Sequence, residues 1–202
     1  MRLTSTSFDN GQPLPVALAA GKADGFSANR NPQLGWEQVP AGTASFVLLC
    51  VDPDVPTVAE MVGAEGVTIP QEQPRCDFSH WVMVDIAADV RQIAEGACSD
   101  GFVVGGKQAP AGPAGARQGI NDYTGWFAGH AQMAGTYRGY DGAWPPANDA
   151  RLHRYFFRLF ALDVARLPVE GDFTAAQVHA AMQGHVLAEA AIHATYSLNP
   201  AL

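Results

Sequence analysis

The sequence predicts a mostly β domain, and three observations carry that prediction. Proline and glycine, 14 and 21 of 202 residues, are spread along the chain and divide it into short segments. Three apolar runs have the length and composition of core strands. Apolar residues at helical spacing occur only near the C-terminus.

The first run, Phe46 to Val51, is continuously apolar and reads as a strand buried on both faces. It is expected to end at the prolines of Asp52-Pro53-Asp54-Val55-Pro56, so that an acidic pair sits where a core strand leaves its sheet. The second, His80 to Ile86, has a period of two that places His80, Val82, Val84 and Ile86 on one face. The third, His153 to Leu162, puts His153, Tyr155, Phe157 and Leu159 on one face and Arg154 and Arg158 on the other. Thr174-Ala175-Ala176-Gln177 resembles a capping box, followed by Val178, Ala181 and Met182 at helical spacing and a stop at Gly184. A second helix is expected from about His185 to His193, with Leu187, Ala190 and Ala191 on one stripe. Val104 to Gly119 is a long Gly/Ala/Pro loop, of the kind that is functional or mobile.

A chain of this length can bury one sizeable core, and residues 1–202 read as a single domain with no linker or repeat. The 48% hydrophobic and 16% charged fractions are those of an ordered globule. A net charge of −8, with no Lys/Arg cluster, argues against nucleic-acid binding and against attachment to anionic bilayers by charge. No stretch is apolar for long enough to insert stably into a membrane. Three cysteines, Cys50, Cys76 and Cys98, give neither a disulfide framework nor zinc spacing, so free thiols and a cytoplasmic location are expected.

Four residue sets could carry chemistry, and each also has a plain structural reading. Asp52 and Asp54 could orient an imidazole, although Asp-Pro pairs also simply start turns. His80 heads an apolar strand, where a histidine is commonly a hydrogen-bonded core residue. His153 and Tyr155 converge on one strand face. Gly139-Tyr140-Asp141-Gly142-Ala143-Trp144-Pro145-Pro146 could form a rigid corner whose N–H groups make an anion nest, or an ordinary surface turn.

Taken in order, these motifs resemble the signature of the phosphatidylethanolamine-binding proteins. They are Asp52-Pro53-Asp54-Val55-Pro56, His80-Trp81, Gly142-Ala143-Trp144-Pro145-Pro146 and His153-Arg154-Tyr155. Asn31-Pro32-Gln33-Leu34-Gly35-Trp36, Pro40-Ala41-Gly42-Thr43, Gly119-Ile120-Asn121-Asp122-Tyr123 and the tail from Met182 to Ala190 are similar to the family's bacterial branch. The resemblance implies two antiparallel sheets in a β-sandwich with peripheral and C-terminal helices. It also implies a small pocket at one end for phosphate-like groups, lined by Asp52, His80, Gly142, His153 and Tyr155. Family members often have Pro-Cys or a small residue before Pro-Pro. The Ala143-Trp144 of this chain is expected to narrow the mouth or shift the backbone donors. Thr57 to Ser79 is longer than in the animal proteins and is read as a lid or as the contact of a homodimer.

The expected function is binding of a small phosphate-bearing ligand or phospholipid headgroup, with no cofactor and no resident metal. Imidazole, phenol and backbone N–H groups are suitable donors to phosphate oxygens. No Gly-x-Ser-x-Gly elbow, P-loop or His-Glu-x-x-His is present, so no enzyme activity is expected. The alternatives are acid–base catalysis by Asp52, His80 and His153, a metal held by those residues with Asp54, or inhibition of a kinase or protease through the surface.

Overall fold

In the computed structural model, which describes residues 1–202, the run Phe46 to Val51 lies at the centre of a five-stranded antiparallel sheet. The strands in chain order are β1 (Arg2–Thr4), β2 (Gly21–Lys22), β3 (Gly25–Phe26), β4 (Leu34–Glu37), β5 (Ser45–Pro56), β6 (Arg75–Ala87), β7 (Gln92–Ile93), β8 (Arg117–Gln118), β9 (His153–Leu162) and β10 (Val186–Tyr196). Two short helices, α1 (Tyr123–Trp126) and α2 (Ala175–Ala181), lie outside the sheets. The large sheet has the order β10-β9-β5-β6-β8, β1-β4-β7 form a second sheet, and β2 and β3 pair as a hairpin.

Strict alternation along β5 and β9 explains how the layers stack. Phe46, Leu48, Cys50, Phe157 and Leu159 face Leu3, Leu34, Trp36 and Ile93 of the small sheet, forming the sandwich core. Val47, Leu49 and Phe160 point the other way and meet Phe173, Val178 and Met182 around α2. Each such side chain contributes about 1.5–3 kcal/mol by leaving water. The Thr174–Gln177 capping box is formed reciprocally, as its sequence predicts.

Four expectations need correction. β5 runs through Pro53 to Pro56 and does not end before them. Its pairing with β9 stops at Val51↔Phe156, so the prolines fall where one flank of the strand has no neighbour. The alternation in β6 is interrupted twice. Cys50 faces Trp81 while Val51 faces Ser79, which makes His80 the extra residue of a bulge, and a second shift lies between Phe46↔Ile86 and Leu48↔Met83. Val82 and Val84 therefore pack toward α2, Ile86 packs in the sandwich core, and His80 does not share their face.

The segment expected as a second helix is the edge strand β10. Its alanines fit either period, and pairing with β9 along nearly its whole length decides in favour of the strand. Helix is also not confined to the C-terminal region, because α1 is a single turn in the middle of the chain. Near its end, β10 is held by the N-terminal segment: Gly11 donates to the His193 carbonyl at 2.7 Å and Leu14 to that of Thr195 at 2.7 Å.

Candidate functional site

The ends of β5, β6 and β9 meet the Trp144–Ala147 segment around a pocket of about 380 Å³. Asp52, His80, His153 and Tyr155 all line it. They arrive there from three adjacent strands, His80 by way of the bulge in β6.

His153 is the middle of a buried ionic row. Its Nδ1 lies 2.7 Å from Asp52 Oδ2 and its Nε2 3.1 Å from Asp149 Oδ2, while Asp149 is held in turn by the guanidinium of Arg75, at 3.0 Å from Nη2 to Oδ1. All four side chains are nearly sealed from solvent. Burial disfavours the His153 imidazolium, but hydrogen bonds and charge from Asp52 and Asp149 outweigh it and raise its pKa above 6.5. Burial would likewise raise the Asp149 carboxyl, yet Arg75, the Arg151 N–H and His153 hold it below the ordinary range. With His153 protonated, two cations alternate with two anions, and the row cancels to a neutral unit ending at Asp52. Both ring nitrogens of His153 are thereby committed to carboxylates, so this residue fixes Asp52 and has no donor left for a ligand.

His80 differs. Its Nδ1 lies 2.8 Å from the carbonyl of Asp141, which can only accept, so Nδ1 carries the hydrogen. Nε2 has no protein partner and presents its lone pair. Burial lowers the His80 pKa below 6.5, with the charge of Asp52 only partly offsetting it, and the imidazole is neutral at pH 7. Phe78, Tyr123 and Tyr155 pack around the ring at centroid distances of 4.9, 5.4 and 5.1 Å, which fixes its direction. The Tyr155 phenol lies beside Asp52; burial and then that charge push its pKa well above 10.0, so it remains a neutral donor.

Gly142 stands behind the pocket wall. Its N–H donates to Asn29 Oδ1 at 2.8 Å and its carbonyl accepts from Tyr123 Oη at 2.9 Å, so Gly142 has no N–H left for an anion. A Cβ here would sit 2.2 Å from the Leu18 carbonyl oxygen, which explains the glycine by close approach of two backbones. Asp54 also turns away, into Arg154 (2.8 Å from Nε) and Arg151 (3.2 Å). These commitments leave no group of three or more metal-ligating side chains.

The Trp144 indole forms pocket wall, and it fits because residue 21 is glycine: a Cβ on Gly21 would lie 2.1 Å from Trp144 Cδ1. Part of the long Thr57–Ser79 stretch lines the rim through Val62 and Gly63. Asn148 ties it down, accepting from Gly63 N at 3.0 Å and donating to the carbonyls of Met61 and Val67, each at 2.8 Å.

Sequence reasoning missed Asp149, Arg75 and Asp141. Asp141 holds His80 through its backbone, while its buried carboxylate accepts from Asn29 and Asn121, each at 2.8 Å, and pairs with Lys107 of the long Gly/Pro-rich loop. The one available signal was that Asp141 lies inside the glycine motif. Nothing local marks Arg75.

A profile of the family described as phosphatidylethanolamine-binding protein matches residues 4–197. The chain belongs to this family. Within the phosphatidylethanolamine-binding protein family it is similar to the UPF0098 protein YbhB of Escherichia coli, 33% identical with 98% of this chain and all of that protein covered. A UPF0098 protein of Aquifex aeolicus is also 33% identical, with 97% and 88% covered. Among solved structures, Escherichia coli YbcL, described as a member of the mammalian PEBP family, superposes with a TM-score of 0.71 at 28% identity, 97% of each chain covered. The homologue CT736 of Chlamydia trachomatis gives 0.67 at 29% identity, covering 97% and 96%. In this family member no helix is long and apolar enough to cross a membrane.

Proposed function

We propose that the pocket binds a small phosphate monoester, such as the free headgroup phosphoethanolamine, and acts by binding it, without catalysis. The observation that carries this reading is the His80 imidazole, clamped by three rings, tied through Nδ1 and left with Nε2 free at the pocket. A phosphate monoester has a second pKa near 6, so one proton shared between a phosphate oxygen and Nε2 makes a charge-assisted hydrogen bond. The neutralised row behind Asp52 supports the reading too, because it removes the repulsion that a bare carboxylate would exert.

The volume is near the low end of the ~300–1,000 Å³ typical of small-molecule pockets and suits a headgroup. Trp126, Phe127 and Trp144 line the same cavity and offer ring faces to an ammonium group attached to the phosphate. Titration calorimetry with O-phosphoethanolamine and with inorganic phosphate tests the proposal. Saturable binding lost in His80→Ala supports it; equal binding by both proteins refutes it.

A further inference from the structure

The long Val104–Gly119 loop takes no part in the pocket wall, yet it sends one side chain into the interior. Lys107 is only 12% exposed; its ammonium pairs with the Asp141 carboxylate and donates to the Tyr140 carbonyl at 2.8 Å. It therefore grips residue 141 from both sides. The loop is seated for this reach. Gly105 N–H donates to Tyr137 Oη at 3.1 Å, and a Cβ on Gly106 would lie 2.1 Å from the Thr136 carbonyl oxygen, so the two backbones run in contact.

Asp141 is in turn the residue that holds His80. Its N–H donates to the His80 carbonyl at 3.0 Å and its carbonyl accepts from His80 Nδ1 at 2.8 Å. Three carboxylates face the ring, Asp52 from β5, Asp122 just before α1, and Asp141, while the phenols of Tyr123 and Tyr155 are neutral. Asp52 is neutralised by His153, Asp122 accepts from the Ser79 N–H at 2.7 Å, and Asp141 has Lys107 as its one cationic partner. Asn29 and Asn121 bind the same carboxylate but bring no charge. The cost of leaving a buried carboxylate without its cation is relieved by moving the segment toward water or by a second cation close by. The first releases Nδ1, and the second is the His80 imidazolium.

We propose that Lys107 is the positioning residue that decides which form of a phosphate monoester the pocket takes: by pinning Asp141 it keeps the hydrogen on Nδ1 and Nε2 bare, and a bare Nε2 accepts the singly protonated ester. A ring released from Asp141, like an imidazolium, carries hydrogen on Nε2 and takes the dianion instead, with no proton bound on association. This inference rests on the monoester reading above and adds the group that controls it.

The test joins NMR of the imidazole nitrogens in the ligand-free full chain with calorimetry of O-phosphoethanolamine in buffers of different ionisation enthalpy. At pH 7 the wild-type His80 ring should show one protonated and one bare nitrogen, and binding should take up about one proton. Lys107→Met should put hydrogen on Nε2 and cut the proton uptake to less than roughly half; the fall in affinity from pH 7 to 8 should then drop from up to about tenfold to under about threefold. Lys107→Arg keeps the cation and should restore the wild-type spectrum and proton count. Lys107→Gln, which keeps a donor without the charge, replaces the methionine variant if that one does not fold. A folded Met or Gln variant with the wild-type ring spectrum and proton uptake overturns the inference and leaves the monoester reading standing, because Asp141 has then taken up a proton itself. A changed ring spectrum in the variant, with no ester bound by the wild type, removes the monoester reading and, with it, this role of Lys107.

Discussion

Replacing His80 with alanine deletes the free imidazole nitrogen while sparing the ionic row behind Asp52. The bond at stake is charge-assisted and, with its partner otherwise unpaired, is worth ~1.5–3 kcal/mol. That corresponds to a loss of roughly 10- to 150-fold in affinity for O-phosphoethanolamine. Arg158→Ala is the control, because its guanidinium is paired to Glu189 at 2.7 Å on the opposite face of β9. The proton adds a second, independent signature. Burial holds the free His80 below pKa 6.5, and a phosphate monoester loses its second proton near pH 6, so above about pH 6.5 neither free partner carries the shared proton. The complex must then take one up, and affinity should fall by up to about tenfold per pH unit between pH 7 and 8. Calorimetry in buffers of different ionisation enthalpy counts that proton directly. Affinity independent of pH, with no proton uptake and no effect of His80→Ala, would refute the reasoning.

Other outcomes follow from the same geometry. Asp149→Asn breaks the buried pair with Arg75 and should destabilise the fold by about 3–5 kcal/mol in denaturant titrations. Because the folded pKa of His153 lies above 6.5, its contribution to stability is complete below pH 6.5 and is lost as pH rises through the folded value. Asp149→Asn should flatten that decline, which unfolding measured from pH 6 to 9 would show. Gly21→Ala drives a methyl into the Trp144 indole and should cost about 1–3 kcal/mol, most of it recovered in Gly21→Ala/Trp144→Ala; additive losses in the double-mutant cycle would contradict the contact. Among the three free cysteines, only Cys76 should react with a thiol reagent in the native protein, because Cys50 and Cys98 are buried and burial pushes the Cys98 thiol up to about 12.

The legible parts of the fold were those whose pattern is local. Phe46–Val51 and His153–Leu162 announce core strands through continuous or alternating apolar residues, and the parity that puts His153 and Tyr155 on one side of β9 needs no tertiary knowledge. What depends on distant partners could not be read. The bulge that turns His80 into the pocket is a property of the β5–β6 register, and β10 is a strand because β9 lies beside it. Two of the site's features are likewise tertiary. His153 resembles a ligand donor until Asp149 is seen on its second nitrogen, and Gly142 resembles an anion-binding N–H until Asn29 is seen accepting from it.

The order of strands in the large sheet also sets when the protein can fold. β5 lies between β6, which follows it closely in the chain, and β9, which comes much later; Asp52 and His153 are 101 residues apart. Until β9 has left the ribosome, one flank of the apolar run Phe46–Val51 has no strand to pair with, and loop closure over that distance slows the search for one. Nascent chains therefore carry an adhesive edge for most of their synthesis. Truncations that end before residue 153 should aggregate, and expression at lower temperature or with chaperones that shield exposed strands should raise the yield of full-length protein.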